Sequence, residues 1–291
     1  MSPGFRYHVV TICAVFLALG VGIVIGSSFV QSAIVAAQTR VVKDLSDKFN
    51  KEVQGTRTQL KRYQSLVTFY SKQMEGKLSG VKVAIIQTGD YPDAVKSTRD
   101  SLERSGASIT SVTTIERTFG ARAAINLSKV LEQLKRLHPD LPDTSDAIIR
   151  VVAASISRGG GDSDLANLET AKLLHYEGDF KTIPDYVIIV GGATIADAGR
   201  TDLVDLPLIA QLKDLRAAVV AVEPETAEIS YIPAWKTGDI TSVDNVDSDI
   251  GSIALILALK SQRGSYGVKS SASNGLMPAP VNDDLRRNSG L

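Results

Sequence analysis

From Val9 to Val30 the chain runs through 22 residues without a formal charge. At about 1.5 Å per helical residue they reach roughly 33 Å, enough for a hydrocarbon core of about 30 Å. The pattern predicts a membrane-spanning helix over 9–30. A cleaved leader has a shorter apolar region followed at once by its cleavage site. Here Val35-Ala36-Ala37 lies well past the apolar core, so the expectation is a retained signal anchor. The tail before it, 1–8, carries Arg6 and nothing acidic, which predicts a cytoplasmic start and a single pass with the bulk of the chain extracytoplasmic. Within the span, Gly22 and Gly26 have the small-xxx-small spacing of a helix-dimer notch.

A polar stretch with regular apolar insertions and no proline follows, from Thr39 to Lys77. With Val53, Leu60, Val67 and Met74 at heptad position a, and Val42, Phe49, Tyr63 and Tyr70 at d, eight of the twelve a and d positions are apolar. Such a repeat predicts a coiled-coil stalk over 31–79 and a homodimer. A helix lying on its own globular domain produces a similar pattern. Gly55 weakens the middle of either by about 1 kcal/mol relative to alanine.

After a break at Leu78–Gly80, short β-rich runs alternate with amphipathic segments. Strands are predicted at "VKVAIIQTG", "SITSVTTI", "DYVIIVGG" and "AAVVAVEP". Helices are predicted at 92–105, 121–137, 145–157, 163–175 and 207–215, with Asp162 or Ser163 capping the fourth, and "DITSVDNVDSDIGSIALILALKSQ" completes the alternation. The fold class is α/β: a Rossmann-like, mainly parallel sheet over 80–268, covered on both faces. Outer-membrane barrels need strands of about 9–11 residues alternating apolar and polar, whereas this chain offers few strands, short and with helices between them. The segment 269–291 has the composition of a disordered tail.

Charge balances at 32 basic and 32 acidic residues, so no overall field favours nucleic acid. Cys13 is the only cysteine and falls in the apolar span, which removes disulfides and thiolate clusters from the rest of the chain. Imidazoles are scattered at His8, His138 and His175; the one metal arrangement left is across a dimer axis, with Cys13 or His8 from two chains. Gly191-Gly192 follows a strand without a phosphate-loop lysine and reads as a tight turn. "DNVDSDIG", Asp244 to Gly251, lacks the glycine and glutamate spacing of a calcium loop; Ser248 or Asp247 as helix cap, with Asp249 in the first turn, explains it. Trp235 is assigned to the core. No nucleophile has a recognisable catalytic setting, so a non-enzymatic protein is expected.

"RYHVVTICAVFLALGVGIVIGSSF", with Arg6, His8, Gly26 and Ser27, resembles the opening of the mycobacterial copper transport protein B family. "VIIVGGATIADAG" and "ITSVDNVDSDIGSIALILAL" followed by Tyr266-Gly267 are similar to that family in order and spacing, making Gly191, Gly192, Asp244 and Asp247 family-like loop positions. The resemblance implies an envelope protein of copper transport or homeostasis, described as an outer-membrane channel, and copper is implied by it alone. The residues themselves point to a cell-membrane anchor and a scaffold that presents a surface to cell-wall or division proteins.

Overall fold

The computed structural model describes residues 3–120, 127–142, 146–195, 200–260 and 263–279. It divides into two compact units, Met1–Leu66 and Val67–Leu291. The first is formed by one helix, α1 (Pro3–Met74), whose last turns belong to the second. Gly4–Gly26 is long and apolar enough to cross a membrane, with a mean hydropathy of 2.7. Further on, Thr56, Thr58 and Ser65 return their hydroxyls to carbonyls one turn back at 2.9–3.0 Å, so these polar side chains do not interrupt the helix. No residue breaks α1 before Met74; Gly55 is carried inside it.

The second unit is built on a seven-stranded sheet in the order β3-β2-β1-β4-β5-β6-β7. Its strands are β1 (Lys82–Gln87), β2 (Ser108–Ile115), β3 (Leu174–Gly178), β4 (Tyr186–Val190), β5 (Ala218–Val222), β6 (Thr241–Val243) and β7 (Ser265–Tyr266). All pairings are parallel except β2 with β3. Period-two geometry sorts the central strands onto two cores. Ala84, Ile86, Val187, Ile189 and Ala221 enter a core shared with α3 (Leu127–Leu137), α4 (Asp146–Arg158), α5 (Asp162–Thr170), α6 (Leu206–Asp214) and α7 (Ile232–Thr237). Val83, Ile85, Ile188, Val190 and Val222 face α2 (Pro92–Arg104), α8 (Asp249–Ala258) and the end of α1. The central strands β1, β4 and β5, packed between two cores, are accordingly apolar along most of their length.

Four expectations are corrected. Val67 and Met74, assigned to a seam between chains, are only 7% and 9% exposed and pack with Leu78, Ile253 and Ile256 in the unit's own core. The helix predicted over 163–175 stops at Thr170: Lys172 turns left-handed at φ 57°, and Leu174–Gly178, His175 included, pairs with the free edge of β2. Its cap is Gly161 without a side-chain hydrogen bond, in place of Asp162 or Ser163. The tail predicted from Lys269 starts too early, since Lys269–Ala279 is fastened to the domain and Pro278 is buried. Residues 121–126, 145, 196–199, 261–262 and 280–291 of other expectations lie outside the described residues.

The burial of α1's last turns predicts different outcomes for two heptad positions of the same type. Met74→Ala empties part of a core and should lower domain stability by about 2–5 kcal/mol. Leu60→Ala, at a position 53% exposed, should leave it unchanged. Denaturant unfolding followed by the single buried tryptophan, Trp235, measures both.

Candidate functional site

In a sheet of this order, chain direction switches between β1 and β4, and ligands of such folds enter the crevice beyond their carboxyl ends. Here the crevice is occupied by the protein's own side chains. A Cβ on Gly191 would stand 2.4 Å from the Trp235 ring and 2.8 Å from Tyr231, so only glycine lets the indole pack on this turn. Gly192, at φ 90°, then directs the chain to Ala193, which pairs with Ile229.

Beneath the turn lies a buried polar cluster. Asp205 is fully buried; its Oδ1 accepts from the Thr88 hydroxyl and the Trp235 indole N–H, each at 2.9 Å. Oδ2 has no hydrogen-bond partner among the described residues. Burial pushes this carboxyl up to about 6, against the opposing pull of those two donors and the Arg200 charge. Arg200, 3% exposed, donates to the carbonyls of Thr88, Ile115 and Glu116 at 2.8–3.2 Å. It thereby ties the ends of β1 and β2 together. At the rim, Asp90 accepts from Arg117 and from the Thr194 amide at 3.0 Å. Burial raises its pKa, but these donors outweigh that effect and hold it below the usual carboxylate value.

Beyond β5, Glu223 is fully buried, accepting from Lys269 Nζ at 2.8 Å and from the Tyr231 amide at 2.7 Å. Burial still leaves its pKa raised. Beyond β6, buried Asp244 accepts from the amides of Val268 and Lys269 at 2.8 and 3.0 Å. The path there requires Gly267, whose Cβ would overlap Asp244. Asp247 accepts from the Glu225 amide at 2.7 Å, while Ser248 caps α8 by accepting from Gly251. Of the family-like loop positions, Gly191 and Gly192 therefore form the turn at the crevice, Asp244 holds down the segment after β7, and Asp247 holds the loop after β5.

The remaining candidates stay apart. Cys13 and His8 are exposed on α1, five residues and about 140° apart around the helix, so one chain cannot bring them onto one ion. Gly22 and Gly26 have open space around them, and Leu60, Tyr63 and Tyr70 are exposed, with Val53 partly covered. His138 contacts Asp164 at 2.9 Å and His175 contacts Glu169 at 2.6 Å. Among the described residues no group of three or more His, Cys, Asp or Glu could hold a metal ion. Sequence reading missed Asp205, Arg200, Glu223 and Lys269. Only Glu223, a charge directly ending an apolar run, carried a local signal.

Between pH 3.8 and about 6 the native Asp205 keeps a proton that the unfolded chain releases. Stability supplied by this group is therefore present at low pH and lost as pH rises through that window, on the order of 3 kcal/mol in all. Asp205→Asn should flatten the fall in stability between about pH 4 and 6 relative to wild type, as read by thermal unfolding across that range.

The family described as copper transport outer membrane protein, MctB, matches residues 4–278. Copper transporter MctB of Mycobacterium tuberculosis (strain ATCC 25618 / H37Rv) is 23% identical over 286 residues, covering 87% of this chain and 91% of that protein. Copper transporter MctB of Mycobacterium leprae (strain TN) is 22% identical over 320 residues, covering 94% and 98%. The chain belongs to this family.

Proposed function

We propose that the chain is a single-pass, membrane-anchored envelope protein serving copper transport or homeostasis, with its α/β domain outside the cytoplasm and acting by contact, not catalysis. Family membership supports the copper role. The observation that carries the mode of action is the filled crevice: Trp235, Tyr231 and Arg200 stand where a sheet of this order receives its ligand. One span cannot conduct ions alone; a path along it needs several copies. In a strain lacking this protein, total cell copper under moderate copper stress should rise and return to normal with the intact gene. Failure of a Cys13→Ser, His8→Ala version to restore it would place export at the membrane helix. Unchanged copper in the deletion strain would favour the second reading, a scaffold for cell-wall or division proteins, which the same filled crevice supports.

The active form in this proposal is a homodimer through α1. With Val67 turned inward, the seam runs over Val42, Phe49, Val53, Leu60 and Tyr63. In a parallel pair Glu52, at position g, faces Arg57, at position e of the other copy, and both are exposed. Glu52→Lys should set like charges opposite one another and weaken the dimer, and Glu52→Lys with Arg57→Glu should restore it. Sedimentation of the full chain in detergent decides: a monomer in every version would end the dimer proposal.

A further inference from the structure

The last turns of α1, the end of α8 and residues 277–279 enclose a groove of about 430 Å³, within the range of small-molecule sites. Met74, Ile256, Leu257 and Met277 give it apolar walls, while Lys77 and Lys260 stand exposed on its lining. Neither lysine has a carboxylate partner among the described residues. Each follows the carbonyl end of its helix, with Lys77 N–H bonded to Met74 O and Lys260 N–H to Leu257 O. A helix end carries only about half a negative charge, so the two ammonium groups leave the groove positive. Apolar walls beneath unpaired cations are a poor seat for a polar peptide and a good one for a molecule with one hydrocarbon chain and an anionic head.

We propose that this groove binds a single-chain anionic amphiphile of the fatty-acid type, its chain along Met74, Leu257 and Met277 and its carboxylate between Lys77 and Lys260. Charge complementarity selects this occupant over a neutral lipid, and the apolar walls select it over a small inorganic anion. Chain burial supplies affinity in proportion to the methylenes removed from water. The lysines supply head-group selectivity, strengthened where the chain excludes water. A protein with a membrane-spanning segment resides where such amphiphiles are abundant. The site is independent of the copper reading and of the filled crevice.

The test uses the full chain in phosphatidylcholine nanodiscs and a twelve-carbon fatty acid carrying a photoactivatable diazirine, with cross-links mapped by mass spectrometry. Saturable labelling of peptides containing Tyr70–Lys77 and Leu257–Lys260 is expected. It should fall about tenfold in Lys77→Glu with Lys260→Glu, while the alcohol of the same chain length labels both proteins alike. Unchanged Trp235 fluorescence would show that the variant is folded. Labelling that does not saturate, is confined to the membrane helix, or survives the charge reversal would overturn the proposal. So would labelling found only in a chain ended after Ala279, which would make the protein's own last residues the occupant. Normal cell copper in the charge-reversed strain is expected, which keeps this test separate from that of copper handling.

Discussion

Asp205, Glu223 and Asp244 are withdrawn completely from water beside the carboxyl ends of the strands, and much of the second unit is arranged around satisfying them. A buried carboxylate without partners costs several kcal/mol, so each recruits donors from distant parts of the chain. Asp205 takes them from the turn after β1 and from α7, Glu223 from the segment after β7, and Asp244 from main-chain amides of that same segment. Lys269 is central, because its ammonium meets Glu223 while its own amide meets Asp244. These contacts turn a polar terminal segment into a strap across β5 and β6.

The same arrangement bears on function. Trp235 supplies one donor to Asp205 and its ring covers Gly191, so the group that satisfies the carboxylate also fills the crevice. Opening the crevice to a ligand would strip Asp205 of one of its two donors. A fold associated with nucleotide binding is thereby converted into a closed platform. That is the ground on which the proposed function rests its choice of exposed surfaces over a ligand site in the crevice.

Helix α1 links the two units and changes character along its length. Its first turns meet the requirements of a bilayer, its middle leaves an apolar stripe exposed, and its end joins a protein core. The heptad repeat continues across the last change, from Leu60 through Val67 to Met74, although the burial does not. Position a means only that a residue faces something apolar; whether that is another chain or the same one depends on where the domain folds back.

The sequence by itself determined the membrane-length helix, the parallel α/β architecture and the strand at 108–115, and it narrowed the cap of α8 to Ser248 or Asp247. Each is set by local means: an uncharged run, short β-rich runs alternating with helical ones, or capping residues just before an apolar helix. It determined that Trp235 is buried but not what for. Tertiary structure alone decided that His175 joins a strand, since β2's open edge competes with a short helix for the same residues. It decided too that Val67 and Met74 turn inward and that Lys269 belongs to the domain. The pairing of Glu223 with Lys269, 46 residues on, has no local signature. It exists because burial makes an unpaired charge costly, and only the completed fold determines which cation is close enough to relieve it.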